Sequence, residues 1–347
     1  MGVQTPIGDQ VGVWLVTGFL GSGKTTVLNA CLQGKESGRN TALIINDVAG
    51  LAIDPLLIEH ADEDTVLLNN GCICCTVKDE LIEELHRLDS SRRSGRCPSI
   101  ARVVIETSGL ADPAPVIHAL FDEPQLRARY YRSAVLTLVD ATHALEQLEE
   151  YEEAVRQIAL ADYLLISKAD LCSRASLEGV DSRLRVINPT AIYLLSHRGQ
   201  ITSVSNQKLI DLFSLRHTEE TWRLPNRDHA THDLEVFSHV IEIEEPLAWR
   251  PFSAWLQALC LARGRELLRF KGIVFTREQV APIAVHAVHF TIYPPEILSN
   301  ALPFTDRTTR LVFIGRRLDS NMLRKTHSDL RVRRFPISFF EVLLEPI

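Results

Sequence analysis

One segment restricts what this chain can fold into more than any other. The apolar run Val13-Trp14-Leu15-Val16-Thr17 leads straight into Gly18-Phe19-Leu20-Gly21-Ser22-Gly23-Lys24-Thr25, and helix-compatible residues follow over Thr26–Leu32. This is G-x-x-x-x-G-K-[ST] between a buried strand and a helix, the arrangement that cradles phosphate. Glycines at 18, 21 and 23 let the backbone curl until successive N–H groups point inward. The helix starting near Lys24 turns its positive end toward the same anion. Lys24 supplies a mobile positive charge for the β- and γ-phosphates, and the Thr25 hydroxyl is a Mg²⁺ ligand. Ser22 and Thr26 complete the cradle.

The rest of the first half agrees with that start. Apolar runs at Val11–Thr17, Thr41–Asn46, Thr65–Leu68, Ala101–Glu106, Ser133–Asp140, Tyr163–Ser167 and Ala191–Leu194 read as strands. Helix-like stretches lie between them at Lys24–Leu32, Val77–Arg87, Ala114–Leu120 and Tyr151–Ala159. Near-continuous apolar strands separated by helices predict a mostly parallel, doubly wound α/β sheet buried on both faces. Near residue 215 the texture changes. The polar stretch 216–233 suits a linker. After it come a strand-like Leu234–Ile243, a helix-like Phe252–Arg263, and runs at Leu267–Phe275, Ala284–Ile292 and Thr309–Gly315. The expected organisation is a P-loop domain over 1–215, a linker over 216–233 and a smaller α+β domain over 234–347, which suits 347 residues at about 150 per domain.

Composition excludes several classes. No stretch approaches 18 uncharged apolar residues, so no membrane span is expected. The N-terminus lacks the basic and apolar regions of a secretory signal. With 37 Lys+Arg against 44 Asp+Glu and a net charge of −7, nucleic-acid binding is not expected. Seven cysteines in a long, unsignalled chain point to reduced thiols or metal ligands. The chain reads as cytoplasmic.

Two further motifs follow the phosphate loop in order. Arg102-Val103-Val104-Ile105 ends in Glu106, then Thr107-Ser108-Gly109. A carboxylate at the tip of a buried strand suits a Mg²⁺ shell or an attacking water. The Gly109 N–H is placed to reach the γ-phosphate. Later, Ser167-Lys168-Ala169-Asp170 is close to the guanine-reading N-K-x-D signature, with serine in place of asparagine. Asp170 pairs with guanine N1–H and N2–H₂ and leaves adenine unmatched, while the Lys168 stem can lie over the base. A helix cap at Asp170 is the structural alternative.

Asn69-Asn70-Gly71-Cys72-Ile73-Cys74-Cys75 places three thiols within four residues. Thiolates are soft ligands for Zn²⁺, Cu⁺ and Co²⁺, and three rather than four imply an open, exchangeable site. Redox chemistry is the other reading. His229, His232 and His239 fall close together; a metal site at His229 and His232 is the secondary expectation and a solvated loop the plainer one. His286 and His289, three apart in a strand-like run, are expected on opposite faces. Cys31, Cys97, Cys172 and Cys260 are expected as packed thiols.

Taken together, Gly18–Thr25 with Thr26, Gly71–Cys75, Glu106–Pro113 and Ser167–Asp170 resemble the CobW-like family of P-loop GTPases, metal-handling chaperones and insertases related to HypB and UreG. Arg269–Ile273 and Asp306–Arg316 resemble that family's second domain, so the likeness covers nearly the whole chain. The resemblance implies GTP hydrolysis with Mg²⁺, Cys72, Cys74 and Cys75 as the site for Zn²⁺ or Co²⁺, and delivery to a client apoprotein by a monomer or weak homo-oligomer. A nucleotide-gated zinc buffer is the alternative. Where the family often carries Asn-Glu-Phe-Gly-Glu, this chain has Asn46-Asp47-Val48-Ala49-Gly50. Asp47 keeps a carboxylate among the catalytic candidates Lys24, Thr25, Glu106 and Asp47, and Gly50 drops the second acid.

Overall fold

The computed structural model describes residues 10–32, 40–46, 65–70, 77–94, 100, 102–197, 200–201, 236–298, 306–318 and 322–323. These residues fall in two compact units. One holds 10–184 and 191–201, and the other holds 236–323 together with 185–190. The expected linker lies outside the described residues. None of the described helices is long and apolar enough to cross a membrane.

In the first unit, strands β1 (Val11–Gly18), β2 (Thr41–Asn46), β3 (Thr65–Asn70), β4 (Arg102–Glu106), β5 (Tyr130–Asp140), β6 (Tyr163–Ser167), β7 (Ile192–His197) and β8 (Gln200–Ile201) form one sheet. Its order is β3-β2-β4-β1-β5-β6-β7-β8. Every neighbouring pair is parallel except β7 with β8. The helices are α1 (Lys24–Leu32), α2 (Val77–Arg93), α3 (Ala114–Asp122), α4 (Pro124–Arg129), α5 (Ala144–Glu150), α6 (Glu152–Leu160) and α7 (Arg174–Ile187).

All eight residues of β1 are buried, as a parallel strand covered on both faces requires. Alternate residues serve different layers. Trp14 and Val16 join Val27 and Leu28 of α1, Leu43, Val104 and Leu136 in one core cluster, while Val13, Leu15, Val103 and Ile105 are buried on the other side. Parallel crossovers are right-handed. The step from β1 to β2 therefore puts α1 opposite α2, which returns the chain from β3 to β4. The order reverses at β1, and an open α/β sheet binds its ligands at the strand C-termini beside such a reversal.

The second unit is an antiparallel sheet against one long helix. Strands β9 (Val236–Ile243), β10 (Leu267–Val274), β11 (Ile283–Val288), β12 (Thr291–Ile292), β13 (Glu296–Ile297) and β14 (Thr309–Arg316) run in the order β12-β11-β10-β14-β9, with β13 beside β11. Helix α8 (Trp249–Arg263) buries Phe252, Trp255 and Leu259 against Phe270, Val285 and Phe313 of the sheet. Cys260 is buried there, and burial pushes its thiol up to about 12, which makes it an inert packing group.

The expected strand Ala284–Ile292 is instead two strands joined at a tight turn. His289 sits in that turn with φ of 50°, held by Nδ1 against the Gly264 carbonyl at 2.9 Å. His286 lies buried in β11, so the two histidines belong to different elements rather than to opposite faces of one strand.

Candidate nucleotide site

The loop after β1 has φ of 142°, 73° and 90° at Gly18, Gly21 and Gly23, conformations that residues with a Cβ avoid. At Gly18 space also forbids a side chain, since a Cβ would lie 2.4 Å from the Leu138 carbonyl oxygen. At Gly21 and Gly23 nothing lies within 4 Å, which is the room a phosphate group needs. The first backbone bond of α1 runs from Val27 N–H to the Gly23 carbonyl at 3.0 Å. The N–H groups ahead of it are those a helix start offers to an anion. Lys24 Nζ folds over the loop and donates to the carbonyls of Gly18 at 2.8 Å and Phe19 at 3.3 Å.

Glu106 ends β4 opposite Val16 of β1 and is only 6% exposed. Thr25 Oγ1 donates to its Oε1 at 3.3 Å, across 81 residues of sequence. A hydroxyl and a carboxylate at the mouth of a phosphate cradle are the hard oxygen donors Mg²⁺ takes, so the residues present fit that ion. Beyond Glu106 the chain is stitched to the loop. Thr107 N–H donates to the Val16 carbonyl at 3.0 Å, and Thr107 Oγ1 bonds Thr17 Oγ1 at 2.7 Å. A Cβ on Gly109 would lie 2.7 Å from Leu20 N, so only glycine lets this turn approach so closely.

The third motif meets the same loop. Ser167 Oγ donates to the Ser22 carbonyl at 2.8 Å, with the Val139 carbonyl at 3.2 Å. The serine that replaces asparagine therefore tethers β6 to the phosphate loop. Lys168 adopts a left-handed conformation, φ 56° and ψ 26°, and its ammonium lies 2.7 Å from Asp140 Oδ2. Asp140 also accepts Thr142 N–H at 2.9 Å and Thr142 Oγ1 at 2.6 Å on Oδ1, while His143 Nδ1 lies 3.1 Å from Oδ2. Burial alone would raise the Asp140 carboxyl, but Lys168, Thr142 and His143 together hold it at about 2. Asp170 is exposed in the short turn Ala169–Leu171. It does not cap α7, because Ser173 Oγ accepts the Ser176 N–H at the start of that helix.

Lys24, Thr25, Glu106, Gly109 and Ser167 thus come together around one loop, with Lys168 beside Ser167. Asp47, Cys72, Cys74, Cys75, His229 and His232 lie outside the described residues. The parallel strand β3 ends at Asn70, in register with Asn46, at the same end of the sheet as Gly18 and Glu106. Among the described residues no three His, Cys, Asp or Glu side chains gather to hold a metal. His239 stands in β9, its Nε2 3.3 Å from the Leu318 carbonyl, and is no part of an exposed histidine loop.

Two residues of this neighbourhood went unread in the sequence. Asp140 carries the same mark as Glu106, an acid ending an apolar run. Gln157 is an uncharged polar residue among the buried positions Ala154, Val155, Ile158, Ala159 and Leu160 of α6. Its Nε2 donates to the carbonyls of Gly109 at 3.1 Å and Ala111 at 3.0 Å.

A glycine cradle at the strand reversal, a helix-borne Lys-Thr pair and a strand-end carboxylate define a P-loop nucleoside-triphosphatase fold. Residues 12–194 match the family described as CobW/HypB/UreG, nucleotide-binding domain, and residues 236–330 match the Cobalamin synthesis protein cobW C-terminal domain. The chain belongs to the CobW/HypB/UreG family. It is 31% identical to the zinc chaperone YjiA of Escherichia coli, covering 93% of this chain and 99% of that protein. It is 27% identical to the zinc-regulated GTPase metalloprotein activator 1 of Schizosaccharomyces pombe, over 89% of this chain and 83% of the other. The crystal structure of Zn(II)-bound YjiA GTPase from E. coli superposes with a TM-score of 0.70 at 26% identity, covering 93% of this chain and 99% of that one.

Proposed function

We propose that this chain is a GTP-hydrolysing metallochaperone. It holds Zn²⁺ at the thiolates of Cys72, Cys74 and Cys75 and couples nucleotide state to delivery of the metal to a client apoprotein. The observation that carries the reading is the meeting of Thr25 with Glu106, beside a Gly109 turn that touches the phosphate loop. Lys24 releases the loop carbonyls and takes the β- and γ-phosphates. Mg²⁺, when bound, draws off charge that develops on the phosphates. Thr25 supplies a ligand to it, and Glu106 orients the water or a ligand water. The Gly109 N–H reports the γ-phosphate. Ser167 keeps the base-binding strand in register with the cradle, Lys168 covers the base face and Asp170 accepts from guanine. Since β3 leads toward Cys72 from the same sheet end, a change at the Asp47 and Gly109 segments alters sulfur geometry. The zinc names of the relatives support Zn²⁺ as cargo; Co²⁺ takes similar ligands.

Linkage makes this testable. If GTP tightens Zn²⁺ binding, Zn²⁺ must tighten GTP binding by the same factor, and couplings of about 1–3 kcal/mol correspond to about 5- to 150-fold. Titrating Zn²⁺ against the full chain with GDP and with a non-hydrolysable GTP analogue, and each nucleotide with and without Zn²⁺, should give equal factors. Two independent affinities would sink the proposal. Lys24→Ala should abolish turnover and leave zinc bound, whereas Cys74→Ser should keep turnover and lose the nucleotide-dependent part of zinc affinity. Zinc content alone is not the readout: a YjiA triple mutant with one glutamate and two cysteines changed to alanine is still Zn(II)-bound. Equal transfer of metal to an apoenzyme with GTP and with the analogue would favour a buffer over a delivery machine.

A further inference from the structure

We infer that Gln157 is a positioning residue for recognition of the triphosphate. It locks the turn that follows Glu106 in the one state that keeps Gly109 against the phosphate loop. The inference rests on the reading of Gly109 as the γ-phosphate contact and deepens it.

Residues 108–111 form a tight turn closed by Ala111 N–H to the Ser108 carbonyl at 3.1 Å. The central peptide of such a turn, here Gly109–Leu110, has two states related by rotation of its plane, and a glycine in the turn removes much of the steric barrier between them. Gln157 selects one of them. It is 1% exposed, and its NH₂ group donates to the Gly109 carbonyl at 3.1 Å and the Ala111 carbonyl at 3.0 Å. Two carbonyl acceptors leave no ambiguity about which end of the amide faces the turn, since only the nitrogen donates. One buried Nε2 serves two carbonyls of the same turn, so rotating the central peptide would swing the Gly109 carbonyl away, break one bond, leave a buried Gln157 N–H unmatched and loosen the residue whose own N–H faces the γ-phosphate.

Gln157 is itself tied to its surroundings. Its own carbonyl accepts Thr137 Oγ1 of β5 at 2.9 Å, and its neighbour Arg156 lies 3.4 Å from Asp112 Oδ2. Asp112 Oδ1 accepts the Ala114 N–H at the start of α3 at 2.9 Å. Thr107 ties the near end of the segment to β1. The turn is therefore held at both ends, and Gln157 supplies side-chain donors to its middle. Its opposite side meets Leu20, where a Cβ on Gly109 would come within 2.7 Å of the backbone.

GDP has no γ-phosphate and is blind to this turn, so the test compares it with a triphosphate. In the full-length protein with Mg²⁺, Gln157→Met keeps side-chain length and removes both donors. The expected result is a loss of about tenfold in affinity for a non-hydrolysable GTP analogue, the scale of one lost hydrogen bond. The kcat for GTP should fall with it, and GDP affinity should stay within about twofold. Gly109→Ala is the companion variant. If Gly109→Ala loses the preference for triphosphate and Gln157→Met keeps it, Gln157 does not position the turn and the inference is overturned while the Gly109 reading stands. If neither variant changes the preference, the Gly109 reading fails and takes the inference with it. If Gln157→Met weakens GDP and the analogue alike, its role is support of the fold and the inference is overturned. Should Gln157→Met not fold, hydrogen exchange on the unaltered protein decides: amides 109–112 must exchange more slowly with the analogue than with GDP, and equal rates overturn the inference.

Discussion

A carboxylate at the C-terminal tip of a buried parallel strand must find donors, and the two in this sheet find different ones. Glu106 meets a hydroxyl, Thr25. Asp140 meets an ammonium, two donors of Thr142 and an imidazole. Only 2% of the Asp140 side chain is exposed, so its ion pair with Lys168 is not an ordinary surface contact. It also holds Lys168 in a left-handed conformation that costs a non-glycine residue about 1–2 kcal/mol. The carboxyl is lowered from 3.8 to about 2, so the stabilisation it brings is complete above about pH 4 and is lost as the pH falls through 2. Asp140→Asn should therefore cost about 2 kcal/mol at pH 7. Denaturant melts of the two proteins should converge by pH 2; curves that stay parallel throughout would mean that the paired charge is not the source. The acid at 140 was as visible in the sequence as the acid at 106. What the sequence lacked was its partner, because nothing local puts Lys168 beside a residue 28 positions earlier.

Among the elements, those governed by local rules were readable and those closed by distant contacts were less so. Strand β1, the glycine loop and α1 follow the order of residues almost without remainder, and the positive φ values fall on Gly18, Gly21 and Gly23. Gly18→Ala tests that reading. With Leu138 O 2.4 Å from the added methyl, the loop must open, and nucleotide affinity should fall by more than about tenfold in an equilibrium binding measurement. Near-native affinity would show that the loop does not need this close approach. Helix α2 runs to Arg93, past the expected end at Arg87, because Leu88 is buried and Asp89 pairs with Arg92 and Arg93. Helix α8 begins at Trp249 rather than Phe252, since Pro251 is tolerated in a first helical turn. The split of β11 from β12 was hidden for a different reason. The turn His289-Phe290 has none of the Asn or Gly that marks a hairpin; its positive φ accompanies a bond from His289 to a carbonyl 25 residues away.

At the scale of the molecule, two cores make two separate demands. The first unit is centred on the sheet around Trp14 and Val16. The second is centred on Trp255, fully buried, with Phe313 edge-on at 6.1 Å and Phe252 at 5.9 Å. Removing that indole leaves a cavity, and Trp255→Ala should cost the second unit about 3–5 kcal/mol. A GTP analogue at 100 times its Kd should stabilise the first unit by about 2.7 kcal/mol. Scanning calorimetry of the whole chain should then show one transition that follows the nucleotide and another that follows Trp255→Ala. A single transition that moves with both would mean that the two units unfold together.

The order of residues alone determined the conformation of the glycine loop and the class of sheet that carries it. Glycine geometry, helix starts and apolar periodicity act within a few residues, so reading along the chain is enough. It could not settle which groups face one another across the sheet. Ser167 binds Ser22 over 145 positions and Gln157 binds Gly109 over 48, and both pairings exist because strands β4, β1, β5 and β6 lie side by side. Strand order is a property of how the whole apolar surface is buried at once. The partners of Asp140, Ser167 and Gln157 were decided there and nowhere earlier.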